Sequence, residues 1–184
     1  MSEVDAKAHD VLGVLNLQAD DFTLFGLAPG FQLDRQQLDE RWKQLQRQAH
    51  PDRFTTQGAA AQRVAMQWSV RINEAYQRLK DPLKRAAYWC ERAGVPVNAE
   101  NNTAMPAEFL MQQMAWRESL EEASSEAELE ALLQETQQAR HHLTTDLQHR
   151  IDDLQDAAAA VSLVRALMFV ERFAEEVHHR LERF

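Results

Sequence analysis

The sequence predicts an all-α protein, and three observations carry that expectation. The 184 residues include 27 Ala, 21 Leu and 18 Gln but only 2 Ile, a bias toward helix formers and away from the β-branched residues that strands favour. Gly and Pro number five each, too few to punctuate many hairpins. Apolar residues recur in steps of three and four, which is the helical period. With 45 % apolar residues the chain can bury a real core.

Residues 1–20 lack a strong pattern and read as an extension. The first unit opens with Asp21-Phe22-Thr23-Leu24-Phe25-Gly26-Leu27, a short apolar segment halted by Gly26 and Pro29-Gly30. Asp34 is a good N-cap. A helix follows it, with Leu38, Trp42, Leu45 and Ala49 on one stripe. Pro51 ends that helix, because a residue before proline is pushed out of the α region. A polar loop, Asp52 to Gly58, leads to a helix from about Ala60 to Lys80, with Val64, Trp68, Ile72, Ala75 and Leu79 as its inner stripe. Asp81-Pro82 starts a short helix carrying Leu83, Ala86, Ala87 and Cys90. Gly94-Val95-Pro96 stops it, and residues 94–106 read as a linker.

Residues 107–184 contain no Gly and no Pro. Three helices fit them. The first runs from Ala107 to Ala123, with Phe109, Trp116, Leu120 and Ala123 on one side. The second, started by Ser124-Ser125, runs from Glu126 to about Ile151. The third runs from about Asp156 to Arg183. In it Leu163, Leu167, Val170, Ala174, Val177, Leu181 and Phe184 keep a 4-3-4-3 rhythm, the spacing of a helix–helix seam. Short turns make an antiparallel three-helix bundle the simplest packing.

Composition also closes doors. The net charge of −9 argues against broad nucleic-acid binding. The charge is uneven: residues 1–93 hold 13 basic and 12 acidic groups, and residues 94–184 hold 7 and 17. No apolar run approaches the length of a membrane span. The first twenty residues carry Glu3, Asp5 and Asp10 without the basic region of a secretory signal, so a cytoplasmic protein is expected. One cysteine excludes an internal disulfide framework. There is no glycine-rich phosphate loop, dinucleotide fingerprint or nucleophile elbow, so the chain is expected not to be an enzyme.

The most informative residues are His50-Pro51-Asp52, between a basic amphipathic helix and a second long helix. Pro51 stiffens the loop and removes a backbone donor. Asp52 offers a carboxylate that can meet a partner's arginine. His50 can orient the loop or touch the partner. Lys43 and Arg47 lie four apart, away from the Leu38 stripe, and Arg53 extends the positive patch. That face would steer an acidic groove.

With Ile72-Asn73-Glu74-Ala75-Tyr76, Leu79, Asp81-Pro82 and Arg85-Ala86-Ala87-Tyr88, this arrangement resembles a J-domain over about residues 21–93. The motif Phe22-Thr23-Leu24-Phe25-Gly26-Leu27, the run Leu45 to Phe54 and a bundle opening with Phe109-Leu110-Met111 narrow the likeness. Together they resemble the HscB-type iron–sulfur co-chaperones. The resemblance implies a J-domain that stimulates the ATPase of a specialised, HscA-type Hsp70 through His50, Pro51, Asp52, Lys43, Arg47 and Arg53. It further implies a bundle, 107–184, that binds an IscU-type iron–sulfur scaffold protein. No cofactor is implied.

Leu110, Met111 and Met114 fall outside the Trp116 stripe, with Glu118 and Glu122 following at helical spacing, and Phe169 stands off the third helix's seam. Exposed apolar groups rimmed by carboxylates point to a protein-binding patch, and Met adapts its shape to a partner. By resemblance, Leu110, Met111, Met114, Glu118, Glu122 and Phe169 form the scaffold-binding surface. Ala115 stands where some relatives have Glu. Packing of this second stripe against the linker or the other half is the alternative. For the whole chain, a J-protein for another client and a helical adaptor with an incidental His-Pro-Asp turn remain further readings.

His141, His142, His149, His178 and His179 read as solvated helix faces, since no i, i+4 His pair with a supporting carboxylate occurs. Cys90 reads as a small buried hydrophobe. The N-terminal cysteine pairs that bind zinc in some relatives have no counterpart, so no metal site is expected.

Overall fold

A computed structural model of the protein describes residues 18–98 and 105–183. Most of the 1–20 extension, residues 99–104 of the linker and Phe184 of the seam lie outside the described residues. The described residues form helices and no strand, as the composition predicts. None of these helices is long and apolar enough to cross a membrane. The chain divides into two compact units, one ending at Arg85 and one beginning at Ala86.

In the first unit, α1 spans Asp21–Phe25. Asp20 starts it by accepting the Phe22 and Thr23 amides, at 3.1 and 3.2 Å. Gly26 ends it at φ 65°, a left-handed conformation that suits a residue without Cβ. Phe22, Leu24 and Phe25 are buried. So is the carboxylate of Asp21, held by Arg71 at 2.6 Å and Arg78 at 2.9 Å.

Helix α2 spans Arg35–Gln48, and its N-cap Asp34 accepts the Gln37 amide at 3.1 Å. Leu38, Leu45 and Ala49 are buried. The stretch expected to be a polar loop is instead a 3₁₀ helix, Pro51–Gln57. The correction has a clear cause: Phe54, within that polar stretch, is only 4 % exposed and anchors the segment.

Helix α3 spans Ala59–Lys80 and buries Ala65, Trp68, Ile72, Ala75, Tyr76 and Leu79. Val64, assigned to that stripe by spacing, is 42 % exposed. Ala65, fully buried, occupies the inner position instead, on the helix against which the 3₁₀ segment packs.

Helix α4 spans Pro82–Arg92, and the unit boundary falls within it. Asp81 caps it through the Lys84 amide at 3.1 Å. Buried Arg85 ties the chain ahead of α2 to the end of α3: its Nε donates to Phe31 O at 2.8 Å, its Nη1 donates to Leu79 O, and its guanidinium lies over the Phe31 ring.

The second unit contains α5 (Ala107–Glu122), α6 (Glu126–Gln148) and α7 (Ala157–Leu181). A π-helical turn, His149–Asp153, follows α6, and Asp156 caps α7 through the Ala159 amide at 3.0 Å. Trp116, Leu129, Leu132, Leu133, Val170, Phe173 and Val177 form the bundle core. Phe109, Leu120, Ala174 and Leu181 pack against it, partly buried. Phe173 lies outside the sequence-derived seam. A helix inside a three-helix bundle buries a stripe wider than a two-column seam.

Candidate functional site

The His50-Pro51-Asp52 turn is built by local chemistry. Pro51 opens the 3₁₀ helix at a position where its missing N–H costs no hydrogen bond. His50 Nδ1 accepts the Asp52 amide at 3.3 Å, which gives His50 an orienting role within the loop. His50 O accepts the Arg53 amide at 3.0 Å, and Asp52 O accepts the Thr55 hydroxyl at 3.1 Å. With Phe54 seated in the core beneath, the Asp52 side chain stands 86 % exposed.

Arg53 reaches back from the turn. Its Nη1 donates to Arg47 O at 3.2 Å, covering a carbonyl at the end of α2. Lys43, Arg47 and Arg53 are all exposed. Arg47, Arg53 and the carboxylate thus belong to one helix end and the turn that continues it, with Lys43 one turn further back on α2.

A polar ladder, not identified from the sequence, fixes α2 against α3. Gln46 Nε2 donates to Asn73 Oδ1 at 2.7 Å and to Ser69 O at 3.1 Å, and the Ser69 hydroxyl donates to Gln46 Oε1 at 2.7 Å. Trp42 Nε1 donates to Asn73 Oδ1 at 2.9 Å, and the Trp42 ring stacks on Tyr76 at 4.9 Å. The Tyr76 hydroxyl donates to Asp39 Oδ1 at 2.8 Å, and Arg35 Nε donates to the same oxygen at 2.7 Å. The Arg35 guanidinium, then the Tyr76 hydroxyl, hold the Asp39 carboxyl below its usual range. Burial, then Asp39, raises the Tyr76 phenol. The ladder's signal is a row of polar side chains flanking the apolar stripe; spacing alone does not say that they meet.

On the bundle, Leu110, Met111 and Met114 are 42, 62 and 72 % exposed. Glu118 and Glu122 are exposed on the same helix. Phe169 is half-buried rather than free on the surface. Its ring stacks with Phe173 at 6.0 Å and Trp116 at 6.4 Å, and meets Phe109 edge-on at 5.8 Å. Arg117 lies over it at 5.8 Å. Phe169 and Leu110 line one shallow hollow of about 180 Å³, with Met168, Gln113, Arg165 and Arg172 around them. The two arginines were not identified from the sequence.

These two constellations can be set beside known proteins. A family model described as the HSCB C-terminal oligomerisation domain matches residues 105–178. The co-chaperone protein HscB homolog of Bordetella petrii is 50 % identical over 163 residues, which are 88 % of this chain and 96 % of that protein. The chain belongs to the HscB co-chaperone family. The solved chaperone HscB from Vibrio cholerae aligns at a TM-score of 0.77 and 34 % identity, over 90 % of this chain and 99 % of that one. The crystal structure of human co-chaperone protein HscB, at 24 % identity, agrees in fold at a TM-score of 0.84 over 90 % of this chain and 83 % of that one. As in those HscB structures, an N-terminal J-domain carries the His50-Pro51-Asp52 turn, and the C-terminal domain is a helical bundle.

His141, His142, His149, His178 and His179 are exposed, and His149 Nδ1 lies 2.8 Å from Asp153. Among the described residues no three His, Cys, Asp or Glu side chains gather to hold a metal. Cys90 is buried, and burial pushes its thiol up to about 11, which removes the thiolate that redox or nucleophilic chemistry requires.

Proposed function

We propose that this co-chaperone stimulates the ATPase of an HscA-type Hsp70 through His50, Pro51, Asp52, Lys43, Arg47 and Arg53. In the same reading it delivers an IscU-type scaffold protein, held on Leu110, Met111, Met114, Glu118, Glu122 and Phe169, during iron–sulfur cluster assembly. The observation that carries the reading is Asp52: a carboxylate almost wholly exposed on a turn locked by its own hydrogen bonds, beside three exposed cations. A turn whose backbone is already fixed loses little entropy on binding, and its exposed carboxylate is available to the partner. The cations guide approach, and Asp52 supplies a directed contact for an arginine on the Hsp70. On the bundle, exposed Leu and Met bury apolar area against the scaffold while Glu118 and Glu122 set its charge preference. One molecule holding both partners raises the client's effective concentration at the Hsp70.

Single-turnover ATP hydrolysis by the Hsp70, with and without scaffold, tests this. Asp52→Asn is expected to remove stimulation at unchanged helicity; stimulation equal to wild type overturns the reading. Leu110→Ala with Met111→Ala is expected to weaken scaffold binding in a calorimetric titration by about tenfold or more, the loss of two exposed apolar contacts of an interface centre. Unchanged affinity rejects the client face.

A further inference from the structure

The bundle half of the chain holds 17 acidic and 7 basic groups, and the basic ones are not scattered. Arg140 is paired with Glu171 at 3.3 Å and Arg150 with Asp156 at 3.8 Å. The remaining five, Arg117, Arg165, Arg172, Arg180 and Arg183, lie along the groove between α5 and α7. Arg165, Arg172 and His179 are spaced by seven, which returns a helical side chain to the same face after two turns. Arg172 lines the hollow that holds Leu110 and Phe169, and His179, Arg180 and Arg183 line a second hollow of about 370 Å³ beside Leu120.

Several of these groups have partners. Arg117 meets Glu176 at 3.5 Å, Arg165 Nε donates to Val97 O at 2.7 Å, and His179 lies 3.4 Å from Glu182. Exposed Arg172 has no carboxylate within 4.0 Å among the described residues. It lines a shallow hollow of mixed polar and apolar character, where Leu110 and Phe169 give apolar contact beside its charge.

We infer that this groove receives a carboxylate-bearing segment of the scaffold protein, with Arg172 as the specificity-determining contact. The inference rests on the scaffold-binding reading above and adds the partner's chemistry. It also explains a division of charge across that face. Exposed Glu118 and Glu122 follow Leu110 and Met114 along α5, and Arg172 of α7 lines the same hollow as Leu110 and Phe169. A partner surface of one sign meets repulsion at one edge. A surface with an acidic strip beside its apolar contact fits in one orientation only, which is how charged rims set register.

The test uses the full chain and the IscU-type scaffold protein in calorimetric titrations at two ionic strengths. Arg172→Glu is expected to weaken binding about tenfold at ~0.05 M salt and only a few-fold at ~0.5 M, because screening hides the contact. Arg172→Gln, which keeps the stem and removes the charge, is expected to fall between it and wild type. Matched far-ultraviolet dichroism identifies the loss as one of contact rather than folding. Binding by Arg172→Glu within about twofold of wild type at low salt overturns the inference while leaving the scaffold reading intact. A wild-type chain that binds no scaffold overturns both.

Discussion

Asp52 shows how a single side chain is made functional by neighbours that touch nothing outside the chain. Pro51 ends one helix, His50 accepts the amide that would otherwise point into solvent, and Phe54 pins the turn from below. The same residue-scale logic governs Asp21 in the opposite sense. Its carboxylate is fully buried between Arg71 and Arg78, so it holds α1 on α3. Removing one member of a buried pair leaves charge without compensation. We expect Asp21→Asn to lower stability by about 2–3 kcal/mol, discounted from the fully buried case because both arginines are partly exposed. Urea unfolding of the full chain, followed by tryptophan fluorescence, checks it. An unchanged midpoint contradicts the structural role.

At the scale of the helix, ends matter as much as faces. Helix α6 opens with a capping box: Ser125 Oγ accepts the Glu128 amide at 3.4 Å, and Glu128 Oε2 accepts the Ser125 amide at 3.2 Å and the Ser124 amide at 2.7 Å. These donors, the Ser124 amide first, hold the Glu128 carboxyl below its usual range. A depressed carboxyl stabilises the fold above its unfolded value near 4.5 and loses that contribution as pH falls through its folded value. Ser125→Ala is therefore expected to cost about 1 kcal/mol at neutral pH. Glu128→Gln is expected to shift the urea midpoint at pH 7, and its difference from wild type is expected to shrink as pH falls through the folded value of the carboxyl. A Glu128→Gln effect independent of pH contradicts the assignment.

Across the whole molecule the two units carry different charge and different exposed chemistry. The half with the His-Pro-Asp turn is nearly neutral and has Arg47 and Arg53 at the turn. The bundle half is strongly acidic, exposes Leu110, Met111 and Met114, and sets Arg172 in the hollow that Leu110 lines. If one molecule must hold both partners, splitting the tasks between two molecules forfeits the gain in effective concentration. An equimolar mixture of the Asp52→Asn variant and the Leu110→Ala, Met111→Ala variant is therefore expected not to restore scaffold-enhanced ATP hydrolysis. Full restoration in a single-turnover assay indicates that the two tasks are independent.

Much of this was legible from residue order alone. Helix identity follows from period and composition. Helix ends follow from local chemistry: Asp34, Asp81, Ser125 and Asp156 cap where their short polar side chains predict, and Gly26 stops α1. The likeness to the family rested on contiguous motifs, which need no knowledge of packing. Only the tertiary structure decided matters that depend on residues distant in sequence. It turned the 51–57 loop into a 3₁₀ helix because Phe54 reaches the core, and it turned Val64 outward in favour of Ala65. It made Phe169 part of an aromatic stack rather than an isolated surface ring, joined Gln46 to Asn73, and brought Arg172 beside Leu110. The physical reason is range. Caps, turns and helical periods are set by interactions within about four residues. Burial, stacking and cross-helix hydrogen bonds depend on which faces come together, and a linear pattern specifies the face without specifying its neighbour.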